Sequence, residues 1–310
     1  MTGHLFLHIG PPKTATTALQ HAFEELADET VVYGGTFQPR RERNTGSLSD
    51  ILFKAASQGR TQHDNKLESA LDQIRSDVLS GKIVVISEEM FGLSRSRSMA
   101  HKLAFLGECF EGLPSTILLC ARNPLDAIPS LYQELYRSQP FLMKLSFARF
   151  CRSDAIDCYD YRKIVTLLHE AGFDTIRIIG FEQVCSGKLT MQDLFDRPDL
   201  PDRRLGLRKV NTSRIKENTT IRTLEPISLK TIGRTRLVRK LRKLPPFRND
   251  RVAGSLAAIA ERIRIPNSEY RTLSIPEAQV SHYMDSYRFA CALEVPYADQ
   301  AVRTDAQDTV

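Results

Sequence analysis

The chain contains no tryptophan in its 310 residues and no Cys-x-x-Cys pair among its six cysteines. The cysteines at 109, 120, 151, 158, 185 and 291 are scattered. That removes the spacing expected of a zinc or dithiol site and fits a reduced protein. No apolar run approaches the length needed to cross a bilayer, so no spanning helix is expected. No internal repeat is visible. Acids do not balance bases: 43 Lys and Arg against 37 Asp and Glu leave a net charge of +6. Such a surplus suits a protein that handles anions, without by itself implying nucleic acid. At this length the chain can bury a large core, in one α/β domain with an appendage or in two domains.

What is present begins at Leu5. An apolar strand predicted over 4–9 runs into Gly10-Pro11-Pro12-Lys13-Thr14-Ala15-Thr16-Thr17, and a helix is predicted over 15–27. This is the layout of a phosphate cradle, in which N–H groups and the dipole of a helix N-terminus face an anion. Lys13 adds a point charge and the threonines add hydroxyl donors. It is not a nucleotide-triphosphatase loop. Counting from Gly10, Ala15 and Thr16 stand where the second Gly and the Lys belong, and Lys13 comes three residues early. No acid for a Mg²⁺ site is evident, so the cradle suits a phosphate-like group held without metal. The plainer alternative makes Lys13 a solvated loop charge.

A second apolar run, 115–121, reads as a buried parallel strand. It leads into Arg122-Asn123-Pro124-Leu125-Asp126-Ala127-Ile128-Pro129-Ser130. The planar fork of Arg122 can donate two parallel hydrogen bonds to a phosphate. Ser130, two helical turns on, can face the same anion. The same residues also read as an ordinary helix start, with Pro near the first position and Asp in the first turn.

Together the two motifs resemble those of sulfotransferases that use 3′-phosphoadenosine 5′-phosphosulfate (PAPS). Pro12-Lys13-Thr14-Ala15-Thr16-Thr17 is similar to the family's 5′-phosphosulfate loop, usually Lys-Thr/Ser-Gly-Thr-Thr, with Ala15 at the Gly. A positive φ there would strain an alanine. Arg122 to Ser130 fits the family's R-x-P-x-D-x-x-x-S pattern, which binds the 3′-phosphate. Arg208-Lys209-Val210-Asn211-Thr212-Ser213 resembles the late loop that closes over the nucleotide, so Arg208 and Lys209 are further candidates; a solvated basic loop is the alternative. Residues 158–184 resemble the family's helix, strand and Tyr-Glu-Asp-Leu region. The resemblance covers about 4–213. It implies PAPS as co-substrate, 3′-phosphoadenosine 5′-phosphate (PAP) as product, no metal, and a hydroxyl or amine acceptor. A carbohydrate or glycolipid hydroxyl is the expected acceptor.

Sulfuryl transfer needs a base. A strand predicted over 82–86 ends in Ser87-Glu88-Glu89. Cytosolic members of the family carry Lys-Thr-His at the corresponding place, with His as base, and Glu89 falls at the His. A half-buried Glu beside another Glu would have a raised proton affinity, which suits a base near neutral pH. Glu88 and His63 remain rivals. The plainer reading makes one glutamate a cap for the next segment and leaves the other solvated, with His63 in a polar loop. Lys13 is the candidate for stabilising charge on the leaving phosphate.

The alternation of strands and helices implies a doubly wound, mostly parallel α/β sheet flanked by helices, with ligands at the carboxyl ends of the strands. Further helices are predicted over 65–79, 98–110, 125–137 and 157–171, and strands over 30–33 and 175–180; 34–50 reads as a loop. The expected division is a PAPS-binding core, 1–213, and a helical basic extension, 214–310, on the acceptor side. Residues 222–251 hold ten Lys or Arg and two acids. Their amphipathic part, 237–244, can lie on an anionic membrane surface or draw in an acidic glycan, or can simply be a solvated helix face. Helices are also predicted over 249–264 and 276–293, with fraying from 299. With the first strand starting at His4, no signal peptide is expected, and the location expected is cytoplasmic. A non-catalytic nucleotide-binding protein and a divergent nucleotide kinase are the competing functions.

Overall fold

The computed structural model describes residues 2–36, 46–58, 65–94, 97–205, 221–223 and 270–293. His63, Arg208, Lys209, the basic stretch beyond 223, the helix predicted over 249–264 and the tail from 299 lie outside the described residues. By internal packing the chain divides into one unit of 1–127, 154–213 and 281–310 and a second of 128–153 and 214–280.

The first unit is an α/β layer structure. Its strands are β1 (His4–His8), β2 (Val31–Thr36), β3 (Ile83–Ser87), β4 (Ser115–Ala121) and β5 (Ile176–Gly180). They form one all-parallel sheet in the order β2-β3-β1-β4-β5. Central parallel strands are covered on both faces and so read as continuous apolar runs. Within each run the side chains alternate. Leu5, Leu7, Val84, Ile86, Ile117 and Leu119 point into one core, with helices α2 (Leu48–Gln58), α3 (Asn65–Leu79), α4 (Met99–Phe110) and α8 (Tyr161–Glu170). Phe6, Ile83, Val85, Leu118 and Cys120 point into the other, with α1 (Thr16–Leu26). On α1, Leu19, Ala22, Phe23 and Leu26 are buried, the i, i+3, i+4, i+7 stripe of a helix lying on a sheet.

Helix α3 and strand β4 keep their predicted bounds. The predicted loop over 34–50 is shorter than expected: β2 runs on to Thr36 and α2 starts at Leu48. Asp50 holds that start, accepting from Gly46 N–H at 2.6 Å and pairing with Lys54 at 2.7 Å. The helix predicted from 157 begins at Tyr161, because a 3-10 turn over Asp154–Tyr159 precedes it and Asp160 caps α8 through Lys163 N–H. The last described helix, Glu277–Ala292, has Ser286 and His282 hydrogen-bonded to Asp160, at 3.0 and 2.9 Å. The six cysteines are unbridged, with Cys120 fully buried in β4 as expected. Among the described residues no helix is long and apolar enough to cross a membrane.

The second unit takes most of α5 (Pro124–Leu135), then α6 (Phe141–Leu145) and α7 (Phe147–Phe150). Tyr132 packs its ring 5.0 Å from Phe147 and 5.1 Å from Phe150 and donates its hydroxyl to Met143 O. The unit also holds an antiparallel ribbon of β6 (Ile221–Thr223) and β7 (Tyr270–Thr272). That ribbon departs from the helical extension expected there; strands of three residues are too short to show an alternation.

Candidate functional site

The carboxyl ends of β3, β1 and β4 lie side by side. The chain leaves β1 for β2 on one side of the sheet and β4 for β5 on the other. The crevice between β1 and β4 is therefore the switch point where ligands bind in such sheets.

The loop after β1 is a nest. Lys13 has φ 66° and Ala15 φ 62°, and neither neighbouring residue has a positive φ. Alternating signs of φ turn successive N–H groups toward one side, making an anion-binding concavity. The next N–H groups, those of Thr16 and Thr17, open α1, ahead of the Ala18 and Leu19 N–H groups that donate to Ala15 O at 2.9 and 3.1 Å. Ala15 therefore occupies the left-handed conformation for which the resembled pattern keeps Gly. Gly10 is dictated by crowding: a Cβ there would lie 2.9 Å from His8 Nε2 and 3.2 Å from Thr14 Oγ1.

The loop's carbonyls are held from behind. Thr14 Oγ1 donates to Pro11 O at 2.6 Å, with Thr16 Oγ1 on the same oxygen at 3.3 Å. Tyr159 donates its hydroxyl to Pro12 O at 2.8 Å, and Arg122 Nη1 donates to Lys13 O at 2.6 Å. Thr14 and Thr16 are thus buried anchors, while Lys13, Ala15 and Thr17 are half-buried at the rim. With three successive carbonyls held by these groups, the concave side of the loop keeps its N–H donors for an anion, and Lys13 stands at its rim.

Arg122 is itself fixed. Its guanidinium lies 4.2 Å from the centre of the Phe181 ring. The Tyr161 hydroxyl accepts from Arg122 N–H and donates to Arg122 O, both at 2.9 Å. Burial pushes the Tyr159 and Tyr161 hydroxyls well above the usual tyrosine range, keeping both as neutral donors. Asn123 caps α5 by accepting from Leu125 N–H at 2.9 Å, so the helix-start reading of this motif also holds. Ser130 is half-buried on α5 and falls in the second unit.

After β3, adjacent glutamates part company. Glu88 is fully buried and accepts from Met90 N–H at 2.8 Å, capping a 3-10 turn over Glu89–Gly92. Glu89, the first residue of that turn, is half-buried. Its carboxylate acts electrostatically on Cys158 and Tyr159, helping to raise both, and so lies near the tyrosine that holds Pro12 O. A cavity of about 450 Å³ is lined by residues continuing both segments, Ser94 and Ser98 on one side and Asp157 and Lys163 on the other. Asp157 and Lys163 pair at 2.6 Å.

Below the cradle, His8 shares a 2.7 Å hydrogen bond between Nδ1 and Ser87 Oγ. Burial pulls its pKa down to about 4, so the ring is neutral at pH 7. Tyr159, Tyr161, Phe181 and His8 are contributors that the motifs did not single out. Two tyrosines two residues apart ahead of a helix were the available signal. Compared with known proteins, the chain matches no family model, and no curated protein matches it significantly.

Proposed function

We propose that this protein is a sulfotransferase that carries a sulfuryl group from PAPS to a hydroxyl-bearing acceptor, a carbohydrate or glycolipid. The observation that carries the reading is the 2.6 Å hydrogen bond from Arg122 Nη1 to Lys13 O. It brings Arg122 to the loop after β1, 109 residues away, so that a cation suited to a second phosphate stands beside the nest suited to the first, as a 3′,5′-bisphosphorylated nucleoside needs. A nest whose carbonyls are held in this way fits a phosphate ester, and PAPS when bound supplies the sulfuryl group to be transferred.

The nest and the N-terminus of α1 hold the 5′-phosphate, and Lys13 supplies positive charge against the charge that builds on it as the sulfuryl group departs. Arg122 pairs with the 3′-phosphate, its plane steadied on Phe181. Glu89 accepts the proton of the acceptor hydroxyl as its oxygen attacks sulfur. The Ser94, Ser98, Asp157 and Lys163 cavity offers the mixed donors and acceptors that a polyol needs.

The test is calorimetry with PAP and AMP in the absence of Mg²⁺. PAP is expected to bind at least tenfold more tightly. Equal affinity would remove the 3′-phosphate assignment. A tight PAP complex that turns over no acceptor in a screen with labelled PAPS would leave a nucleotide-binding protein.

A further inference from the structure

Glu89 stands on a single turn of four residues, too short to hold its own shape. Two buried charges of opposite sign grip that turn at its ends. At the N-terminal end Glu88 Oε1 accepts from Met90 N–H at 2.8 Å. At the C-terminal end Lys102, reaching from α4, donates its ammonium to Met90 O and Leu93 O. Both side chains are fully buried. The Lys102 ammonium also faces the Phe53 ring of α2, 5.8 Å from its centre. Burial outweighs the attraction of Glu88 and draws the Lys102 pKa down to about 8, still charged at neutral pH.

Burying two opposite charges near one another adds little to stability, since losing hydration offsets the attraction. Its value lies in geometry: Glu88 Oε1 reaches Met90 N–H, and Lys102 reaches Met90 O and Leu93 O, only when the turn has this one shape. We infer that Glu88 and Lys102 are a positioning pair, fixing the turn so that the Glu89 carboxylate is held toward the cradle. The inference rests on the reading of Glu89 as the base. It assigns Glu88 the supporting role rather than the catalytic one, and brings in Lys102, 13 residues beyond Glu89, which no motif marks.

The experiment uses the full chain with ³⁵S-labelled PAPS and water as acceptor, so the natural acceptor is not needed. PAP affinity is measured alongside by calorimetry. Glu88→Gln keeps an oxygen for Met90 N–H while removing the charge; Lys102→Met keeps the length and removes the ammonium. Each is expected to lower turnover about 10- to 100-fold while PAP affinity stays within about twofold, the separation of positioning from binding. The double variant, leaving no lone buried charge, is expected to lose less than the product of the single losses. If Lys102→Met does not fold, Glu88→Gln alone decides. Wild-type turnover in Glu88→Gln and Lys102→Met beside an inactive Glu89→Gln overturns the positioning pair and leaves Glu89 as base. Normal turnover in Glu89→Gln overturns both. Equal losses of turnover and PAP affinity reduce the pair to a general structural role and also overturn the inference.

Discussion

Ala15 holds the cradle in a conformation that its own Cβ opposes. A left-handed backbone costs an ordinary residue about 1–2 kcal/mol, and Ala15 adopts it at φ 62° to turn its neighbours' N–H groups together. Glycine would relieve that strain but has more freedom to lose on folding, about 0.5–1 kcal/mol. Ala15→Gly is therefore expected to stabilise the fold by about 0.5 kcal/mol, read as a higher urea midpoint, with PAP affinity kept. Ala15→Val, branched at Cβ, is expected to lower both. At Arg122 the shape of the cation matters beside its charge. Arg122→Ala should weaken PAP binding by about 2–4 kcal/mol, as when one partner of a desolvated charge pair is truncated. Lysine there keeps the charge but loses the planar fork and the seat on Phe181, so it should recover under half of that loss. Wild-type affinity in Arg122→Ala would mean that the 3′-phosphate binds elsewhere, and wild-type affinity in Arg122→Lys that charge alone suffices.

Elements position these residues by packing closely, and one contact sets how closely. A Cβ on Gly107 of α4 would lie 1.9 Å from Ala171 O at the end of α8. That backbone cannot yield as a flexible side chain would. Gly107→Ala is expected to cost about 1–3 kcal/mol, the range for overpacking, measured by denaturation. Because α4 also carries Lys102, the displacement should lower turnover more than PAP affinity. Helix α1 and strand β4 were readable in the sequence because their spacing repeats over many residues and their ends carry loop chemistry. The 3-10 turn over Glu89–Gly92 was not, since four residues contain no period to detect.

For the whole first unit, pH reports on how deeply the sheet is buried. The His8 pKa of about 4 lies below the ordinary value of 6.5, so the unfolded chain takes up the proton first. His8 thus leaves stability intact above pH 6.5 and reduces it as pH falls toward 4. Between pH 7 and pH 5 the loss is on the order of 2 kcal/mol at 1.36 kcal/mol per unit. Urea titrations at both values should show it, and His8→Asn should flatten the difference. An unchanged slope in that variant would place the acid sensitivity in other groups.

The amino-acid order alone determined the strand-loop-helix of the cradle, the apolar runs that must be buried on both faces, and the Arg122 motif after one of them. Each is a property of neighbouring residues: side-chain period, turn chemistry and helix caps. The tertiary structure decided what depends on residues far apart. It set β1 between β3 and β4, so that the loop after β1 meets Arg122. It brought Tyr159 to Pro12, across 147 positions, to hold that carbonyl of the loop. It separated Glu88 from Glu89, because one turn gripped by Lys102 buries the first carboxylate and leaves the second half-buried. Adjacent, chemically identical residues differ only in what surrounds them, and those surroundings are assembled by the fold.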